Sequence, residues 1–184
     1  KLVIQCLMKY AKEKNKRLVI ALRCQHDNDL LSQEKNYFKG IMGVEPEFLQ
    51  TSGLYTIYPI IDSAEVVVSL SSTLRYESIA RCKKTAVFSV RGTLLGISDL
   101  NYGWPADFSD EGLFWTNKPD PEIFVRILDY LFEVSDEQWK EDVESTNFSS
   151  IMEYDHGNTI LQSILEKELG PPPKSLNCKD TNKG

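Results

Sequence analysis

Three hydroxyl side chains and a glutamate lie close together where a predicted strand is followed by a predicted helix. The segment 66–70 is mostly β-branched or large apolar, which is typical of a strand covered on both faces of a parallel sheet. Ser71, Ser72 and Thr73 follow, and their side chains and free backbone N–H groups would cap the helix and attract an anion. Glu77 lies one turn beyond Thr73 on the same face, within reach of a ribose diol. The segment predicts a site for a phosphate and a sugar hydroxyl, and the alternative is an ordinary capped helix with a surface glutamate.

Strands alternate with helices along the chain, and this order indicates a parallel sheet. We expect a Rossmann-like three-layer α/β domain over residues 1–170, with a central parallel sheet and helices on both faces, and a disordered tail over 171–184. The predicted strands are 17–23, 48–50, 66–70 and 85–89, with a short apolar run at 113–116. The predicted helices are one that opens the chain, then 33–41, 54–63, 73–81, 120–133, 136–143 and 158–169.

Polar residues stand at the carboxyl ends of three of these strands. Arg23 ends the first strand, 69–73 end the central one, and Arg91 with Gly92 follows the strand at 85–89. In an open parallel sheet, ligands bind in the crevice beyond the carboxyl ends of the strands. We therefore expect these residues to lie around one ligand site.

The composition narrows the class of protein. The 184 residues are 41% hydrophobic, which is enough to bury one substantial core. A net charge of −6 argues against a nucleic-acid-binding surface, and it leaves room for a local basic pocket that holds a phosphate. Four cysteines without a CxxC pair predict free thiols in a reducing compartment. The chain has no signal-peptide pattern and no apolar run of about 18 residues, so we expect a cytoplasmic location without a membrane span.

The central segment resembles the donor-binding segment of GT-B glycosyltransferases. The resemblance lies in SLSSTLxYESIAxxKK followed by a strand, and it is closest to bacterial surface-carbohydrate, capsule and lipopolysaccharide transferases, including Kdo-transferase-like members. It extends over residues 17–160, through SGLYTIYPIIDSAEVVVS, GLFWTN and YDHGN.

This resemblance implies the C-terminal, Rossmann-like half of a glycosyltransferase, which holds a nucleotide sugar. An N-terminal half would hold the glycan acceptor, supply the catalytic base and bring the enzyme to the inner face of the membrane. The fragment alone would then be inactive, and no catalytic residue can be assigned within it.

The resemblance also implies roles for individual residues. Ser71, Ser72 and Thr73 would contact the donor phosphate or sugar, and Glu77 would contact the ribose hydroxyls. Arg23 would stabilise the departing nucleotide phosphate together with loop amides, so that no metal and no cofactor besides the donor is required.

Five further residues are candidates for the same site. Arg75 stands where similar sequences often have glycine, and it could reach a phosphate or obstruct the pocket. Arg91 follows a strand, and Glu111 with Gly112 could line the donor pocket or simply form a turn. His156 lies in a turn that could fold over the sheet edge, or that serves only as a helix cap built by Asn158.

Two other groups favour ordinary structural roles. His26, Asp27 and Asp29 superficially resemble a metal or acid/base cluster, but no second group with ligand spacing completes a site, so we predict no metal. Tyr55 and Tyr58 could stack on a base, although aromatic pairs at helical spacing are more often part of a core.

Two other functions remain open at the level of sequence. A degenerate Rossmann-like module could dock a partner in a glycan-assembly complex, and Arg75 is the residue that favours this alternative. A nucleotide-sugar epimerase-like half-domain would need carboxylates and a histidine in an interdomain cleft, and the chain shows no clear set.

Overall fold

The computed structural model describes residues 1–22, 28–49 and 57–170. These residues divide into two compact units, one of residues 1–152 and one that begins at residue 153. The strands are β1 Val19–Ala21, β2 Glu47–Leu49, β3 Val67–Ser69, β4 Thr85–Phe88 and β5 Trp115–Thr116. The helices are α1 Leu2–Glu13, α2 Asn28–Met42, α3 Ile57–Ser63, α4 Leu74–Ala80, α5 Val90–Leu95, α6 Pro121–Glu133, α7 Asp136–Ser145 and α8 Thr159–Leu169. Short 3₁₀ turns are Ser98–Leu100, Asn147–Ser150 and His156–Asn158.

All strand pairs in the described residues are parallel, and helices flank them. β1 pairs with β2, and a second sheet has the order β3-β4-β5, in which Val68 lies opposite Ala86 and Val87 opposite Trp115. The α/β class with parallel strands and packed helices is confirmed. Where one central sheet was expected, the described strands are divided between these two small sheets.

β4 lies at the centre of the core of the first unit. Its four residues from Thr85 to Phe88 have no exposed surface. Because successive side chains point to opposite faces of a sheet, complete burial requires that both faces are covered. α4 and α6 pack against this strand, and the ring of Phe88 lies 4.5 Å from that of Phe124 on α6. The central strand is thus held from its sides by β3 and β5 and from its faces by helices.

The sequence of α6 explains both its ends and its orientation. Asp120 caps the helix, accepting a hydrogen bond from the backbone N–H of Glu122 at 2.9 Å, and Pro121 occupies the first turn. Its buried side chains recur at helical spacing and form one face, consisting of Phe124, Ile127, Leu128 and Leu131. The predicted helix 120–133 therefore agrees with the structure to within one residue.

A polar contact joins α1 to α6 beside their apolar interface. The Tyr10 hydroxyl donates to Asp129 Oδ1 at 2.9 Å, and Lys14 Nζ lies 2.8 Å from the same oxygen. The lysine and the hydroxyl stabilise the charged carboxylate, so the pKa of Asp129 is lowered from its usual value of 3.8. The contact fixes one helix relative to the other near the amino-terminal end of the chain.

α5 is not among the helices that the sequence predicts. Glycine and threonine have weak helix propensity, and most residues of α5 are exposed. The sequence therefore gives no clear helical pattern for this short helix. Gly92 is required by close packing, because a Cβ there would lie 1.9 Å from Asn101 Oδ1 and 2.9 Å from the carbonyl oxygen of Ile97. Tertiary contact determines this helix more than local preference does.

The second unit contains α8, whose cap differs from the predicted one. The Asp155 carboxylate accepts hydrogen bonds from the backbone N–H groups of Ile160 and Leu161, both at 3.0 Å. Asn158, proposed as the cap from sequence, makes no side-chain capping bond because it adopts a left-handed backbone conformation, with φ of 57°. In the ranges that the structure describes, no helix has the length and apolar character needed to cross a membrane.

Replacing Leu128 by alanine should lower the free energy of unfolding by about 2–5 kcal/mol, because a fully packed side chain leaves a cavity behind. Chemical denaturation measures the change. Val125→Ala on the exposed face of the same helix is the matched control and should cost less than about 1 kcal/mol. Equal losses in the two variants would contradict the assigned core face.

Asp129 should contribute to the resistance of the protein to acid. Its pKa is lower in the folded chain than in the unfolded chain, so its contribution to stability is complete above about pH 4. That contribution is lost as the pH falls through the lowered folded value. Asp129→Asn should therefore weaken stability at neutral pH and flatten its acid dependence below about pH 4, as followed by circular dichroism. Asp107→Asn, at an exposed position, should leave the acid unfolding profile unchanged.

Candidate functional site

The candidate site lies where the carboxyl ends of β3 and β4 come side by side. Ser69, the last residue of β3, is paired with Val87, so the segment after β3 lies beside the segment after β4. The chain then enters α4 at Leu74 and α5 at Val90. Two strand ends and two helix starts therefore meet at one edge of the sheet. The sequence predicts the two strand ends and the start of α4 at this edge, but not the start of α5.

The predicted hydroxyl triplet is exposed at this edge. Ser71, Ser72 and Thr73 are all exposed to solvent, and they form the connection between β3 and α4. Ser72 Oγ accepts a hydrogen bond from the backbone N–H of Leu74 at 3.2 Å, which is a capping role. Thr73 occupies the position before the helix without a side-chain capping bond. The hydroxyls of Ser71 and Thr73 thus face solvent at the place where a ligand would approach.

Glu77 is held in one orientation by a tyrosine from the preceding helix. The Tyr58 hydroxyl on α3 donates to Glu77 Oε2 at 2.6 Å, and both side chains are half-buried. The guanidinium of Arg81 lies 5.2 Å from the centre of the Tyr58 ring. Tyr58 therefore packs between helices and positions the carboxylate of Glu77. The Oε1 atom of Glu77 makes no hydrogen bond to any residue that the structure describes.

Arg75 is turned into the protein instead of outward from the first turn of α4. Arg75 is only 8% exposed to solvent. Nη1 donates to Ser89 Oγ at 2.5 Å and Nη2 donates to the Tyr76 hydroxyl at 3.0 Å, while the guanidinium lies 4.7 Å from the centre of the Tyr76 ring. Within the described ranges, no carboxylate forms an ion pair with this arginine. The cation is thus buried among hydroxyl groups.

Two stacked tyrosines continue this polar cluster. The Tyr76 hydroxyl also accepts a hydrogen bond from the backbone N–H of Gly103 at 3.2 Å. The ring of Tyr76 stacks on that of Tyr102, with 5.7 Å between the ring centres. Burial raises the pKa of Tyr102, the nearby Tyr76 raises it further, and the charge of Arg75 opposes the rise. Tyr102 is therefore neutral, and it does not compensate the charge of Arg75.

Several buried polar atoms of this region have no hydrogen-bond partner among the described residues. Ser69 is 8% exposed and Tyr102 is 2% exposed. Buried polar groups are normally satisfied, so each exception requires an explanation. The atoms concerned here are Ser69 Oγ, Arg75 Nε and the Tyr102 hydroxyl.

The remaining candidate residues of the first unit make their contacts with residues outside this polar cluster. Arg91 is exposed on the first turn of α5 and makes no ion pair with a described residue. Glu111 Oε1 lies 3.5 Å from Lys118 Nζ. Gly112 donates its N–H to the Trp115 carbonyl oxygen at 2.9 Å, and a Cβ at Gly112 would lie 2.2 Å from the Trp115 ring. The structure thus gives Glu111 and Gly112 a place in a tight turn.

Several of the predicted residues, or their side chains, lie outside the part of the chain that the structure describes. Arg23, His26, Asp27 and Tyr55 lie outside the described residues, as does the predicted tail 171–184. Asp29 lies in the first turn of α2. His156 belongs to a 3₁₀ turn of the second unit, and its side chain is outside the description. Over the described part of the chain, no group of three or more His, Cys, Asp or Glu residues is arranged to hold a metal ion.

A separate shallow cavity of about 260 Å³ lies along α1 and α6. It is lined mainly by apolar atoms, and burial there raises the pKa of the Cys6 thiol. None of the predicted donor-site residues lines it. The polar groups at the sheet edge carry the richer chemistry, so we regard that edge as the candidate site.

Sequence analysis missed Ser89, Tyr76 and Tyr102 as members of the polar cluster. Ser89 had a usable signal, because it ends the apolar run Thr85–Phe88 just as Ser69 ends β3. The two tyrosines had none, since buried aromatic residues are ordinary core residues.

The fold and this edge define an α/β protein whose polar residues converge beyond parallel strands. A family model described as "putative O-antigen biosynthesis protein" matches residues 1–169. The chain belongs to this family. Neither a curated protein nor a solved structure matches the sequence of this chain significantly. The surface-carbohydrate part of the resemblance is therefore supported, while glycosyl transfer and donor binding stay predictions.

Replacing Ser89 by alanine should lower the free energy of unfolding by about 1–3 kcal/mol, because a buried guanidinium N–H loses its hydrogen-bond acceptor. Ser63→Ala is the matched control, since its hydroxyl bonds to the Ile60 carbonyl oxygen on an exposed helix end. That change should cost less than about 0.5 kcal/mol. Urea denaturation of both variants tests the contact, and no difference between them would contradict the burial of Arg75.

Proposed function

We propose that the chain binds the nucleotide-sugar donor for glycosyl transfer to a surface polysaccharide or lipopolysaccharide acceptor. The observation that carries the proposal is the oriented carboxylate of Glu77 beside three exposed hydroxyl residues at the carboxyl edge of parallel strands. Membership of an O-antigen biosynthesis family supports a carbohydrate substrate. Together they favour the donor-binding half of a glycosyltransferase.

Glu77 suits the recognition of a sugar diol. A carboxylate accepts hydrogen bonds and donates none, and the hydroxyls of a ribose are donors. The bond from Tyr58 at 2.6 Å restrains the side chain before a ligand arrives, which reduces the entropy lost on binding. Because Tyr58 bonds to Oε2, the Oε1 atom of Glu77 is left to accept a hydrogen bond from the ligand.

The segment that connects β3 to α4 suits the other end of the donor. Ser71 and Thr73 present solvent-facing hydroxyls, and hydroxyls donate hydrogen bonds to phosphate oxygens. Ser72 keeps the start of α4 in place through its bond to the N–H of Leu74. A nucleotide carries a phosphate close to a sugar, so it offers partners both to this segment and to Glu77.

The chemistry we propose rests on positioning more than on a catalytic group within this chain. Donor recognition fixes the leaving nucleotide, and Arg23 is the candidate that stabilises its developing charge. The acceptor hydroxyl and the catalytic base would come from the other half of the enzyme. Orientation of the anomeric carbon toward that hydroxyl would then supply much of the rate.

A second candidate function is an interaction module in a glycan-assembly complex. The observation that favours it is the apolar surface of α8, in which Ile160, Leu161, Ile164 and Leu165 are all exposed. Exposed apolar side chains on one helix are typical of a surface that meets another protein. Such a module would not need a working nucleotide site.

Titration with CMP, UDP and GDP by calorimetry tests the proposed function. One of the three should bind saturably, and Glu77→Gln should weaken it by about tenfold or more, because a charged acceptor is lost. Ser72→Ala should weaken binding by about twofold to tenfold. Glu77→Gln preserves an oxygen that can accept from Tyr58, so the variant should remain folded.

Glu137→Gln is the matched control, since this exposed glutamate lies on α7. It should bind the nucleotide as tightly as the unchanged protein does. Saturable binding that is insensitive to both Glu77→Gln and Ser72→Ala would refute the proposed site. Absence of binding by all three nucleotides at millimolar concentration would count against donor binding and in favour of the interaction module.

A further inference from the structure

We propose that Arg75, together with Ser69 and Ser89, forms a receptor for a phosphoryl group at the carboxyl ends of β3 and β4. This receptor differs from the exposed segment 71–73 and from Glu77. It rests on the proposed function only for the identity of the molecule that carries the phosphoryl group.

A buried charge without a counter-charge is costly, because it has lost its hydration. Arg75 is 8% exposed, and in the described part of the chain no carboxylate pairs with it. Its two hydrogen bonds go to the hydroxyls of Ser89 and Tyr76. A bound anion would supply the missing negative charge. The net charge of −6 makes this local positive group all the more unusual.

The donors of Arg75 are only partly used. A guanidinium has five N–H donors, and two are engaged by Ser89 and Tyr76, which leaves three. One of these is the N–H of Nε, a buried group without a partner among the described residues. Arginine binds phosphate through two parallel N–H groups, and such an arrangement needs donors that the protein leaves unused.

Ser69 supplies an independent observation on the same face of the sheet. Its hydroxyl is more than nine-tenths buried and has no partner among the described residues. Ser69 is paired with Val87, and Ser89 directly follows β4. The backbone N–H of Ser89 still bonds to the Thr116 carbonyl oxygen at 2.9 Å, so the side-chain alternation of β4, continued by one residue, puts both serines on one face. Because Arg75 bonds to Ser89, its guanidinium lies over that face too.

The spacing of these groups fits one small oxyanion. Neighbouring strands lie about 4.8 Å apart and successive residues rise about 3.3 Å, which puts the α-carbons of the two serines about 8 Å apart. A phosphoryl group has three terminal oxygens and can accept from two hydroxyls and a guanidinium at once. A carboxylate has two oxygens instead of three, so it offers fewer acceptor sites to the three donor groups.

An arginine with a purely structural role is the competing explanation. In that case Arg75 would serve to hold α4 against Ser89 and against the turn at Gly103 through Tyr76. Such a role predicts no response of the protein to anions. The two explanations therefore differ in one measurable quantity, which is the dependence of stability on phosphate.

Thermal unfolding in phosphate, in pyrophosphate and in chloride at equal ionic strength and pH tests the proposal. We expect phosphate or pyrophosphate to raise the Tm of the unchanged protein saturably above its value in chloride. Arg75→Met should abolish this rise. Arg17→Met removes the same charge from an exposed ion pair with Glu47, and it should keep the rise.

A rise in Tm of equal size in Arg75→Met, or no rise in the unchanged protein, would overturn the proposal. Because Arg75→Met could fail to fold, a second measurement uses the unchanged protein. The Nε–H resonance of Arg75 in a ¹H–¹⁵N spectrum should shift saturably on addition of phosphate, whereas that of Arg17 should not. An Arg75 resonance that stays in place would reject the receptor.

The same experiments separate this proposal from the proposed function. If phosphate binds through Arg75 but no nucleotide binds through Glu77, the receptor stands and the nucleotide function fails. If a nucleotide binds through Glu77 but phosphate changes neither the Tm nor the Arg75 Nε–H resonance, the nucleotide function stands and the receptor fails.

Discussion

The complete burial of β4 is the constraint on which the rest of the first unit depends. A strand without exposed surface needs partners at both edges and packing on both faces, and β3, β5, α4 and α6 supply them. Because all three strands run in the same direction, their carboxyl ends come to one edge. The polar residues that follow β3 and β4 are brought together by this packing, although they are distant in sequence.

The parts of the fold that the sequence predicts well are those with a repeating burial pattern. α6 combines a capping aspartate, a proline in its first turn and apolar residues at helical spacing, so both its bounds and its buried face follow from sequence. The parallel strands follow from short apolar runs between helices. α5 does not follow, because packing of Gly92 against Asn101 defines it and its own residues carry no clear pattern.

The candidate site is predictable in location but not in detail. The hydroxyl triplet and Glu77 can be read from sequence because they stand at a strand end within a few residues of one another. The inward direction of Arg75 cannot, since it depends on Ser89, which is 14 residues away. The link from Tyr58 to Glu77 spans 19 residues and is equally hidden. Side-chain orientation at this edge is a property of the assembled core.

The close approach of Gly92 to the turn 97–101 limits which substitutions relatives can carry at either place. Any side chain at position 92 would collide with Asn101, whose side chain could turn aside, and also with the backbone carbonyl of Ile97, which could move only with its whole turn. A substitution at position 92 therefore becomes acceptable only after the turn 97–101 has changed length or path. We expect relatives to keep glycine there or to alter both segments together, so that the two evolve as one unit.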